Sequence, residues 1–114
     1  MFKNKVDNSI FDTIDLNNVE IYKKPIILDF GGTFCSPCKK YEKTLEKVKE
    51  EYKDNVLIQL FDVSKDIDIA FKYNVSTIPH QVFIDTNGKI INNHIGILSY
   101  NETIDLLEKC GLKK

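Results

Sequence analysis

Two cysteines separated by two residues, in Cys35-Ser36-Pro37-Cys38, are the groups in this sequence best placed to do chemistry. They follow the apolar run Ile26-Ile27-Leu28-Asp29-Phe30 and precede a charged stretch with helical periodicity. That junction places Cys35 just before, or at, a helix N-terminus. Free N–H groups and the helix dipole favour negative charge there. A thiol so placed has a lowered pKa and becomes a nucleophile. Cys38 lies one turn further in, shielded by the helix and close enough to form a disulfide with Cys35. One thiol then attacks and the other resolves, as dithiol exchange requires. The same spacing also suits half of a zinc site, or two structural cysteines. A closed zinc site takes about four ligands, and the remaining soft candidates, Cys110, His80 and His94, are scattered along the chain. Neither a metal nor a cofactor is expected.

The elements that must position this pair can be read from pattern. Pro25–Phe30 is short and nearly continuously apolar, as in a strand covered on both faces. Residues 36–53 carry Tyr41, Leu45, Val48 and Tyr52 at spacings of three and four, with lysines and glutamates elsewhere. Pro37 suits the first helical turn, where its missing N–H costs nothing. Asn55–Phe61 is a second strand candidate, and Ser64 or Asp66 can cap a short helix over Asp66–Tyr73. Val82–Asp85, the turn Thr86-Asn87-Gly88 and Lys89–Gly96 form a hairpin. Ser99 and Glu102 have capping-box spacing and open a last helix carried by Ile104, Leu106 and Leu107, which Gly111 ends. Upstream, a short strand near Ile10–Ile14 and a short helix near Asn17–Tyr22 are expected. The order β-α-β-α-β-α-β-β-α implies an α/β fold, a mixed central sheet with helices on both faces and right-handed crossovers.

Composition narrows the function classes. The chain has 114 residues, 42% hydrophobic and 29% charged, which fits one globular domain over residues 1–114 able to bury a core without staples. A net charge of −1 gives no electrostatic case for nucleic acid or an anionic membrane. All 16 basic residues are lysine, so no bidentate arginine clamp for phosphate is present. No segment approaches the roughly 20 apolar residues of a membrane span, and residues 1–18 lack the apolar core of a secretory leader. The odd cysteine count argues against an oxidising compartment. A cytoplasmic location is expected, with an extracytoplasmic one as the alternative if a leader or anchor has been removed.

The segment PIILDFGGTFCSPCKK resembles the active-site segment of the thioredoxin family, and VSTIPHQVFIDTNGKI resembles its second signature. The resemblance runs over about residues 20–110, in the right order. It implies a thioredoxin fold and a protein thiol–disulfide oxidoreductase, with Cys35–Cys38 as the redox-active disulfide. Asp29, six residues before Cys35, matches the buried carboxylate that handles the proton of the resolving thiol. Burial would raise its pKa into the range of a useful base. Ile78-Pro79 matches the family's cis-proline, whose loop faces the cysteines and pairs with the substrate chain like an added strand. Phe34, Ser36, Pro37, Ile78, Pro79 and His80 are thereby implicated in substrate binding.

The departures from the family pattern carry expectations of their own. Gly31 and Phe34 stand where tryptophans are usual; Phe34 can still cover the disulfide and Gly31 cannot. Leu60 replaces the lysine that often pairs with the buried aspartate, so the pKa of Asp29 should be higher still. Lys43 replaces a kinking proline, which should leave the helix straighter. His80, at a usual threonine, either sits near the thiols or faces solvent from its strand. His94 reads as a hairpin surface residue and Cys110 as a buried bystander. The Ser36 hydroxyl can bond a Cys35 thiolate, making the couple slightly more oxidising than Gly-Pro. Implied partners are disulfide-containing proteins and an electron donor, either a thioredoxin-reductase-like enzyme or a membrane thiol transporter. The protein is expected to act as a monomer. A non-catalytic binding module on the same fold is the rival reading.

Overall fold

A computed structural model describes residues 9–113. The leader reading of residues 1–18 therefore lies partly outside the described residues. Four strands and three helices follow a short 3-10 turn at Val19–Tyr22. In chain order they are β1 (Ile26–Gly31), α1 (Ser36–Tyr52), β2 (Leu57–Asp62), α2 (Ile67–Lys72), β3 (His80–Ile84), β4 (Ile90–Ile95) and α3 (Tyr100–Lys109). The sheet order is β2-β1-β3-β4. β1 and β2 are parallel, while β1–β3 and β3–β4 are antiparallel.

β1 is the strand on which the rest depends. Its neighbours on both sides take its backbone groups, and helices cover both its faces, which is why a continuous apolar run is needed here. Alternation then divides its side chains. Ile27 joins the core formed with Tyr41, Leu45 and Val48 of α1 and with Ile104 and Leu107 of α3. Ile26, Leu28 and Phe30 join the opposite core with Ala70 of α2 and with Val82 and Ile84 of β3. A charged helix like α1 is marginal alone. Its buried stripe, at roughly 2 kcal/mol for each large apolar side chain, holds it to the sheet. The Tyr41 hydroxyl lies 2.7 Å from Thr103 Oγ1, which bonds to the Ser99 carbonyl, and this chain links α1 to the start of α3.

Most local expectations agree with these elements. The capping box is present: Ser99 Oγ accepts from Glu102 N–H at 3.0 Å, and the Glu102 carboxylate accepts from Ser99 N–H at 2.9 Å. In the hairpin turn only Gly88, at φ 85°, takes the left-handed region, and the Asp85 carboxylate accepts from both Asn87 and Lys89 N–H. Asp66 stands at the start of α2, but its carboxylate accepts from Asp62 N–H at 3.0 Å instead of capping the helix. α1 runs unbroken through Lys43.

Two upstream expectations are corrected. Ile10–Ile14 is not a strand. It lies beside β2, but side chains supply most of the pairing: Asp12 N–H donates to the Ile58 carbonyl, the Asp12 carboxylate accepts from Ile58 N–H, and Ile14 N–H donates to Gln59 Oε1. The expected helix near Asn17–Tyr22 shrinks to the 3-10 turn. The five-strand order therefore becomes four strands among the described residues.

Candidate active site

The loop from Gly31 to Cys35 joins β1 to α1 and is fixed at several points. Val63 N–H donates to the Gly31 carbonyl, Cys35 N–H to the Gly32 carbonyl, and Thr33 Oγ1 to the Asp62 carboxylate at 2.9 Å. Cys35 is the N-cap of α1, with Pro37 in the first turn. Cys35 and Cys38 form a disulfide with Cα atoms 5.2 Å apart. Cys38 N–H donates to Cys35 Sγ at 3.3 Å, so the helix N-terminus points at the sulfur expected to attack. Cys35 is partly exposed and Cys38 is buried. Ser36 and Pro37 are exposed beside them.

Asp29 is 4% exposed, on the α1 face of β1. Burial pushes its carboxyl up to about 7; a hydrogen bond from Gln81 opposes this, and the negative charge of Glu42 adds to it. Leu60 lies directly opposite Asp29 in β2, so no cation reaches it from that strand. Asp29 and Cys38 line one cleft of about 350 Å³, together with Gly31, Glu42 and Leu60. A Cβ at Gly31 would lie 3.0 Å from Cys38 Cβ and 3.3 Å from its Sγ. The missing side chain at Gly31 is thus what lets Cys38 pack against β1.

The peptide bond Ile78–Pro79 is cis. Its loop sits against the cysteine loop: a Cβ at Gly32 would lie 3.1 Å from Ile78 Cδ1 and 3.9 Å from Cys35 Cβ. The Pro79 carbonyl accepts from Gly96 N–H. Ile78 N–H and C=O have no hydrogen-bond partner among the described residues.

Three side chains differ from expectation. Phe34 is 99% exposed and does not cover the disulfide. His80 does not face solvent. Gln81 points to Asp29, so its neighbour His80 points to the other face, 5% exposed and edge-on to Phe30 at 6.2 Å between ring centres. Gln81, not His80, is thus the β3 side chain that faces Asp29. His94 is half-buried, and its Nδ1 lies 3.0 Å from Gln81 Oε1. Cys110 is a buried free thiol pushed up to about 12 by burial, as a bystander should be. Gln81 is the residue that sequence reasoning passed over. A polar side chain within the buried strand HQVFI was the available signal, since buried amides need partners.

The thioredoxin family model matches residues 5–109. The chain belongs to the thioredoxin family. It is 31% identical over 98 residues to thioredoxin-T of Drosophila melanogaster, covering 86% of this chain and 61% of that protein. It is 26% identical over 102 residues to the thioredoxin of Griffithsia pacifica, covering 90% and 93%. To the thioredoxin of Mycoplasmoides gallisepticum it is 28% identical over 99 residues, covering 87% and 97%. Among solved structures, a malarial protein superposes with a TM-score of 0.72 at 22% identity, covering 77% of this chain and 98% of that one. A mutant thioredoxin from Halobacterium salinarum NRC-1 gives 0.70 at 22% identity, covering 80% and 77%. These superpositions bear out the expected fold, a mixed sheet flanked by helices. Family membership and the Cys35–Cys38 pair together support thiol–disulfide oxidoreductase chemistry.

Proposed function

We propose that this domain reduces protein disulfides by dithiol exchange, with Cys35 as nucleophile, Cys38 as resolving thiol and Asp29 as base. The observation that carries this reading is the Cys35–Cys38 pair at the N-terminus of α1, with Cys38 in one cleft with a buried carboxylate. Cys35 thiolate attacks one sulfur of a substrate disulfide, and the other leaves with the electron pair. Cys38 then gives its proton to Asp29. Its sulfur attacks Cys35, and the mixed disulfide breaks toward the substrate. The Cys35–Cys38 bond that results takes two electrons from a donor in the next cycle.

The free backbone groups of Ile78 support its reading as the docking edge for an extended substrate segment. Pro79 shapes that edge. Exposed Phe34, Ser36 and Pro37 flank the attacking sulfur and suit contact with a partner chain. The donor in this reading is a reductase of the thioredoxin-reductase kind, the protein acts as a monomer, and the compartment is the cytoplasm. No helix among the described residues is long and apolar enough to cross a membrane.

Insulin reduction by the wild type and by Cys35→Ser tests the reading. The variant should fall to the uncatalysed background; unchanged turnover would sink it. The potential of the pair should be slightly less reducing than the roughly −270 mV of thioredoxin. A value above about −200 mV would reverse the assigned direction.

A further inference from the structure

Gln81 is fully buried in β3, directly opposite Asp29 in the antiparallel ladder. Its amide nitrogen donates to Asp29 Oδ1 at 3.4 Å and to the Gly96 carbonyl at 3.1 Å. Its amide oxygen lies 3.0 Å from His94 Nδ1. Only one orientation of the amide fits. Reversed, its oxygen would face the Gly96 carbonyl, which cannot donate, and the Asp29 carboxyl, which can donate only when protonated. In the fitting orientation His94 must donate, so its Nδ1 carries a proton. The result is a chain of hydrogen bonds from the half-buried His94 ring, through Gln81, to the buried carboxylate.

Among the described residues, Gln81 is the one side chain that donates a hydrogen bond to Asp29. A donor to a carboxylate favours its charged form. Desolvation and Glu42 act the other way. We propose that Gln81, oriented by His94, is a positioning residue that sets the basicity of Asp29. The inference rests on the reading of Asp29 as the base for Cys38. In that step one proton moves from Cys38 Sγ to the Asp29 carboxylate, while Gln81 and His94 keep theirs. The other ionisable groups facing Asp29 are Cys38, Tyr41 and Glu42 of α1, with Lys39, Asp62 and Asp66 along the cleft. Glu102 of α3 acts electrostatically with His94. Gln81→Met leaves all of these in place.

Carboxyl ¹³C NMR titration of the oxidised protein reads Asp29 directly, and the pH–rate profile of insulin reduction reads its use. Gln81→Met keeps the length of the side chain and removes the donor. It should raise the Asp29 midpoint by about one pH unit. The rate at pH 7 should then fall about fivefold and recover in alkali. His94→Leu should move both in the same direction by less. His94→Asn, whose amide N–H can replace Nδ1–H, should restore the wild-type midpoint. In the Gln81→Met background, His94→Leu should add nothing. An unmoved midpoint in Gln81→Met overturns the proposal. If that variant does not fold, equal midpoints for His94→Leu and His94→Asn overturn it instead. Asp29→Asn separates this from the reading beneath it. A wild-type pH–rate profile in Asp29→Asn removes the base role, even where Gln81→Met still shifts the Asp29 midpoint.

Discussion

Asp29 and Phe30 are neighbours in β1, and their partners Gln81 and His80 are neighbours in β3, so the ladder sends one pair to each face of the sheet. Both faces bury a polar group. On the α1 face the carboxylate of Asp29 has a donor, and that donor connects outward to His94. On the α2 face His80 Nε2 lies 3.0 Å from Asn93 Oδ1, while Nδ1 has no hydrogen-bond partner among the described residues. The first arrangement leaves a charge adjustable and opens onto the cleft shared with Cys38. The second leaves a buried ring nitrogen without a partner, in a ring edge-on to Phe30. Burial alone does not make a reactive group; a partner that treats its two protonation states differently does.

The sharpest break in this comparison should come from Asp29→Asn. The folded state holds the Asp29 proton up to about 7, against an ordinary 3.8 when unfolded. Its stabilising contribution is therefore complete below the unfolded value and is lost as pH rises through the folded one. The wild type should lose about 4 kcal/mol between roughly pH 4 and pH 8 that Asp29→Asn does not lose. Denaturant unfolding of the two oxidised proteins at both pH values measures this. Parallel curves would mean that the carboxylate is better solvated than its burial implies. A smaller effect, about 2 kcal/mol of destabilisation, is expected from Gly31→Ala on the same face, because the new methyl presses on Cys38. An unchanged denaturation midpoint would show that Cys38 can yield at no cost. On the opposite face, His80→Phe should gain about 1 kcal/mol by removing the unpartnered nitrogen. Its insulin-reduction rate should stay within about twofold of wild type. A larger loss would return His80 to the site.

The parts of this design that were legible in the sequence are local ones. The capping box at Ser99, the stripe on α1 and the run at Ile26–Phe30 each state their structure within a few residues. Asp29 was conspicuous because a carboxylate in an apolar run needs a reason. The position of Leu60 opposite it followed from alignment with the family pattern, and the parallel register agrees. What failed depended on how distant segments meet. Ile10–Ile14 has strand-like composition, yet Asp12 and Gln59 side chains replace the backbone ladder that would have made it a strand. The face of His80 was undecided until the register with β1 was known, because a shift of one residue reverses every side chain. His94 read as a surface residue because nothing near it in sequence announces Gln81, thirteen residues earlier in the chain.

Lys49 completes the arrangement at Asp12. Its ammonium is buried and bonds to the carbonyls of Lys53 and Val56 at 2.9 Å and to the Asp12 carboxylate at 3.0 Å. β2 is the outermost strand on that side of the sheet, and exposed outer strands invite pairing with other chains. Here Asp12 already occupies both the N–H and the C=O of Ile58, and Lys49 holds Asp12 in place. One aspartate, anchored by one lysine, thus withholds the backbone groups of Ile58 from a foreign strand on this margin.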